Sequence, residues 1–254
     1  MYTHIIKKMF FSKRLYVTIG ILLVISFYFS YSLGKESTWI AVQKKLNLQN
    51  DYYWLPYFAY FQFFSDKFII YFMVPLYLIF LSIQSSMFNQ DNVILRFHSI
   101  ERWWKQRTKG IIFSSFFYSL TTFFLMFIII VISKVIQFVT IDFILFCFFA
   151  IFSHALGYIF FGLCYHIIQL SVTKSWLSFL IVVAFNSLVD LGLKGLHSNF
   201  NTYIHYFFLS YKSLYATIGY KDLIIVFVVI GVLFILNYLG IRILNKKKFY
   251  GVNR

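Results

Sequence analysis

The segment Asp91–Gly110, DNVILRFHSIERWWKQRTKG, decides how this chain is read. It is the most charged stretch of an otherwise apolar sequence. Val93, Phe97, Ile100 and Trp104 fall at helical intervals and share one face. Arg96, Glu101, Arg102, Lys105 and Arg107 fill the other faces, and Glu101–Lys105 is a favourable i,i+4 pair. Asp91 or Asn92 can cap the start. Trp103 and Trp104 stand where indoles settle, at the boundary between water and lipid. Long apolar segments flank the stretch. The pattern predicts a helix lying on a membrane, on its cytoplasmic side, between two segments that cross it.

Composition points the same way. The chain is 61% hydrophobic and 12% charged, with 35 Phe and 20 Tyr among 254 residues. Soluble domains carry about twice that share of charge. Several apolar runs reach the ~20 residues that span a bilayer, and only helices fit runs of that length. The predicted fold class is therefore all-α, a polytopic membrane protein with six transmembrane helices and a single domain over residues 1–254. Cys147 and Cys164 lie in one apolar run, about 25 Å apart along a helix, so they cannot pair with each other. No cleavable leader is expected, because the first apolar run is full length with no small-residue site after it.

Working outward, residues 1–14 are basic and amphipathic and predict a short interfacial helix. Spans are predicted at about 15–33, 68–88, 111–133, 142–170, 176–193 and 223–243. Pro75 is expected to kink the second. The fourth is long enough to tilt, to extend into the cytoplasm or to break near Gly157. Residues 34–66 and 194–221 form outer loops. The aromatic run Asp51–Phe64 in the first of these reads as an aromatic belt or as a substrate surface.

Lys and Arg set the orientation. The side holding both termini and Asp91–Gly110 collects 15 of the 23 basic residues and the other side 8. Both ends are thus expected in the cytoplasm. The net charge of +15 is assigned to topology and lipid headgroups rather than to nucleic acid.

Motifs for chemistry are scarce. There is no G-x-x-x-x-G-K-[ST] phosphate cradle and no H-E-x-x-H zinc motif. Gly157 and Gly162 sit inside an apolar run and read as helix packing. Glutamate-dependent membrane proteases need paired glutamates, and the two in this chain, Glu36 and Glu101, both lie in loops. No catalytic residue, cofactor or metal ligand is assigned to this chain. His154 and His166 lie about 120° apart around one helix, which does not make a ligand pair; each fits a neutral histidine bonded to a neighbouring helix, or a proton relay. Asn186, Asp190 and Lys194 form a stripe on the fifth span. It lines a transport path, or Asp190–Lys194 eases the helix end. Ser114, Ser115, Ser119, Thr121 and Thr122 suit interhelical packing or a pathway equally well.

Six spans, two cytoplasmic ends, a basic amphipathic helix after the second span and an aromatic loop before the sixth resemble the ABC-2 type permease subunit of bacterial ABC exporters. ILRFHSIERWWKQR carries most of the resemblance. The resemblance implies that Arg96, Phe97, Ile100, Glu101, Arg102, Trp103, Trp104 and Lys105 form a coupling helix contacting a cytoplasmic ABC ATPase dimer. ATP and Mg would bind that partner and not this chain, and a second permease subunit, identical or related, would complete the path. The large first outer loop departs from the smallest members of the family. The expected activity is export of a hydrophobic or amphipathic peptide through the bacterial cytoplasmic membrane. Two alternatives stand beside it: a non-transporting immunity or scaffold protein that binds a peptide, and, for Asp91–Gly110 alone, a basic loop held at the headgroups by its tryptophans.

Overall fold

The computed structural model describes residues 54–65, 68–88, 99–172, 174–196 and 220–246, together with isolated helical positions between 16 and 28. The described residues are almost entirely helical and contain no strand. Helix α1 is Leu55–Phe63, α2 is Val74–Phe88, α3 is Ile100–Ile132, α4 is Ile141–Ser171, α5 is Ser175–Leu196 and α6 is Tyr220–Lys246. Three helices, α3, α4 and α6, are long and apolar enough to cross a membrane, as a membrane protein requires. The interfacial helix expected over residues 1–14, and most of the outer loops at 34–66 and 194–221, lie outside the described residues.

The aromatic run before the second span folds inward. Pro56 sits in the first turn of α1, where a missing N–H costs nothing. Trp54, Tyr57, Tyr60, Phe63 and Phe64 are all buried. Tyr57 meets Phe143 edge-on at 5.0 Å, and Phe64 stacks on Phe123 at 4.8 Å. These rings form core contacts with α3 and α4, rather than a belt or an outer surface. Aromatic residues satisfy both roles by composition, and the partners that decide between them lie far along the chain.

Pro75 acts through a widened turn. Its ring removes one backbone donor at the start of α2. The preceding residues Ile69–Met73 form a π-helical turn, and the Val74 N–H reaches the Ile69 carbonyl. A shift to i→i+5 bonding is a common way for a helix to absorb such a defect.

Helix α3 runs unbroken for 33 residues through Gly110, so the amphipathic segment and the third apolar run are one rod. At 1.5 Å per residue it is about 50 Å long, well beyond the ~30 Å hydrocarbon layer. Asp91 and Asn92 lie outside the described residues; the start is capped by Ser99, whose Oγ accepts from the Arg102 N–H at 3.1 Å. The rod ends at Ser133, and Lys134 takes a left-handed conformation with φ 58°. A short 3-10 turn, Val135–Phe138, leads to Thr140, which caps α4 through the Phe143 N–H. Helix α4 is continuous past Gly157, with no break there. It is the hub of the fold and packs against α2, α3, α5 and α6.

Polar side chains in this core are tied to helices. Tyr77 Oη and Ser115 Oγ lie 2.7 Å apart, Tyr118 donates to the Met73 carbonyl and Ser119 to the Ile151 carbonyl. Thr121 and Thr122 donate to carbonyls one turn back. The tyrosine and Ser119 bonds join α3 to its neighbours and fit interhelical packing, whereas the threonine bonds stay within α3. Gly162 lets α2, α3 and α4 converge: a Cβ there would fall 2.7 Å from Ile111 Cγ2 and 2.8 Å from Tyr77 Oη. Gly162→Val should therefore cost about 1–3 kcal/mol by overpacking. Gly231→Val, on the open side of α6 with nothing within 4 Å, should cost little. Thermal unfolding in detergent checks this, and equal losses at both positions would contradict the packing described.

Candidate functional site

The first three turns of α3 have two faces. Glu101, Arg102, Lys105 and Lys109 are exposed, whereas Trp103, Trp104, Arg107 and Ile111 are buried. Spacings of four residues keep each set on its own side. The tryptophans thus turn into their own chain rather than toward a lipid surface.

Trp104 is the anchor on α6. Its Nε1–H donates to Asn237 Oδ1 at 2.8 Å, and Thr108 Oγ1 donates to the same oxygen at 3.2 Å. The indole lies over Gly240, where an added Cβ would sit 2.8 Å from Trp104 Cε2. Only glycine leaves room for the ring.

Arg107 is the anchor on α4. Its side chain is 2% exposed. Nη2 donates to His166 Nδ1 and to Gln169 Oε1. The guanidinium carbon lies 5.0 Å from the centre of the Trp103 ring, a cation–π distance. Accepting at Nδ1 assigns the neutral His166 its proton on Nε2. The Arg107 Nε and His166 Nε2 atoms are buried without a hydrogen-bond partner among the described residues. Neutral acceptors and one aromatic face thus solvate this buried cation. That environment is costly to create and sensitive to the loss of either acceptor.

The second histidine has a separate role. His154 Nε2 lies 2.9 Å from Tyr60 Oη, and Phe64 and Phe123 approach its ring edge-on at 4.4 and 5.0 Å. It pins α1 to α4 as a core residue. His154 and His166 have different partners and do not share a site.

The remaining residues singled out by sequence distribute as follows. Arg96 and Phe97 lie outside the described residues. Ile100 is the first residue of α3, and its side chain is not described. Of the proposed contact residues, Glu101, Arg102 and Lys105 are on the surface, while Trp103 and Trp104 act from within. Asn186 is buried and lines a cavity of about 260 Å³ between α4, α5 and α6. Asp190 lies one turn further along α5, with its side chain outside the described residues.

Sequence reading does not find Thr108, Gln169, Asn237 and Gly240 as a group, nor does it place Arg107 inside. A weak signal exists: Asn237 is an isolated amide in the last apolar run, and such residues face protein rather than lipid. No family model, curated protein or solved structure matches this chain.

His166→Leu removes an acceptor and leaves the Arg107 charge buried, and should cost about 3–5 kcal/mol. Combining it with Arg107→Met should recover most of the lost melting temperature. A double variant no more stable than His166→Leu would contradict the pairing.

Proposed function

We propose that this chain is the membrane-spanning subunit of an ATP-driven exporter of the ABC-2 type, in the bacterial cytoplasmic membrane. The observation that carries the reading is the two-faced end of α3. Its outer face presents Glu101, Arg102, Lys105 and Lys109. Its inner face grips α6 through Trp104 and α4 through Arg107. A push received by the charged face would move the long helices, because the rod between them has no hinge at Gly110.

In this reading a separate ATPase dimer binds ATP and Mg, closes, hydrolyses and reopens. Glu101, Arg102 and Lys105 make the contact, with Arg96, Phe97 and Ile100 beside them. Trp103 and Trp104 transmit the movement rather than touch the partner. A second permease subunit, identical or related, encloses the path with this one. The substrate is a hydrophobic or amphipathic peptide, suited to an apolar protein with a buried amide at Asn186.

The test is purification from the native host with a nucleotide-hydrolysis assay on what accompanies the chain. A stoichiometric ATPase should co-purify. Arg102→Glu should lose it, while Trp104→Ala should keep it but uncouple hydrolysis from transport. A preparation free of any ATPase would overturn the reading in favour of a peptide-binding immunity or scaffold protein.

A further inference from the structure

The cavity between α4, α5 and α6 has a depth as well as a volume. On α4 its walls run from Phe160 to Ile168, and on α5 from Ile181 to Asn186, with Leu236 closing it from α6. Ile168 lies three residues, and Phe160 eleven, before the end of α4 at Ser171. Ile181 lies six residues, and Asn186 eleven, after the start of α5 at Ser175. At 1.5 Å per residue, the cavity therefore occupies a band about 5–16 Å from the α4–α5 turn. One leaflet of hydrocarbon is about 15 Å deep, half of a ~30 Å core. With the α4–α5 turn at the lipid–water boundary, as the membrane reading places it, the cavity falls within the acyl-chain layer of a single leaflet.

Its chemistry matches that depth. Every wall residue except Asn186 is apolar or a thiol. Two of them, Ile181 at 37% and Phe185 at 64% exposure, also face outward, so the cavity opens on the apolar outer surface of the helices. A volume of about 260 Å³ exceeds the ~150 Å³ that accommodates a benzene-sized apolar ligand. A polar solute would leave its hydrogen bonds unmet there. The rim supplies the opposite chemistry. Lys174, in the α4–α5 turn, is exposed, and so is Trp176 at the start of α5. Arg242, exposed on α6, lies six residues beyond Leu236 toward the same end of that helix. A cation and an indole above an apolar slot are the features that hold a phosphate headgroup over its own chain.

We propose that this cavity is a phospholipid site, with one acyl chain between α4 and α5 and the phosphate at Lys174. The site rests on the membrane reading of the chain and not on an ATPase partner. An acyl chain seated there would hold α4 and α5 apart over the band lined by Cys164, Val182 and Asn186.

The test uses the full-length protein in nanodiscs made with phosphatidylglycerol bearing a diazirine along one acyl chain. After irradiation, labelled peptides are mapped by mass spectrometry. Labelling should concentrate at residues 160–168 and 181–186, several-fold above the outward face of α6 around Phe227 and Phe234. Val182→Trp, which fills the cavity, should reduce it to the α6 level, and Lys174→Ala should weaken it. Ile168→Phe, a smaller filling, guards against misfolding of the first variant and should lower the signal in the same residues. Labelling spread evenly over all lipid-facing residues, or unchanged in a filled variant that still labels on α6, would overturn the site.

Discussion

A buried guanidinium with no carboxylate beside it among the described residues is an expensive thing for a fold to keep. Arg107 is retained because three neutral groups share its charge: His166, Gln169 and the face of Trp103. The arrangement ties the beginning of α3 to the end of α4. One residue position away, Trp104 performs the same service toward α6 through Asn237 and Gly240. Arg107, beside the face of Trp103, and Trp104 thus direct the start of α3 to two different neighbours. Without these contacts the first turns of α3 would lose their described side-chain ties to α4 and α6.

The other helices are organised around α4 in a consistent way. Helix α4 buries 61% of its most apolar stretch and α3 buries 50%, whereas α6 buries only 17%. Helix α6 thus keeps one face largely open, while Val226, Val229, Leu233 and Leu236 pack on the core along the other and Trp104 fixes it near Gly240. Hydrophobic burial does little to fix such a helix among lipid chains, so small residues and interhelical hydrogen bonds carry the specificity. Gly240 and Asn237 supply both at a single place. The charged outer face of α3 and its two inner anchors sit on the same unbroken turns.

The sequence reveals the elements more readily than their faces. Periodicity around Trp104 marks a two-faced helix over Glu101–Ile111, but that helix begins at Ile100 behind an extended Ser99 and not at the Asp91 or Asn92 start that the pattern predicts. Periodicity does not reveal that Trp104 reaches Asn237, 133 residues away. An indole beside arginines suits a lipid boundary and a protein core equally, and only the partner decides. The aromatic run Trp54–Phe64 has the same ambiguity and resolves the same way, against α3 and α4. Pro75 is legible as a disturbance of the backbone ladder, since a missing donor must act nearby, but the widened turn at Ile69–Met73 is not the form the sequence predicts. Gly162 is legible as a packing residue, but its neighbours Tyr77 and Ile111 are not. Arg107 is the residue that sequence misplaces, because charge alone argues for the surface and its neutral partners leave no pattern.

The attachment of α3 to α6 is the contact on which the whole account depends, and cross-linking tests it most directly. Cysteines would replace Thr108 and Asn237, with Cys147 and Cys164 changed to serine, and mild oxidant or a short bifunctional reagent would be applied in membranes. Rapid, near-complete cross-linking within one chain is expected, because Thr108 Oγ1 and Asn237 Oδ1 are 3.2 Å apart. Two cysteines that stay unlinked and both react freely with a water-soluble maleimide would contradict it.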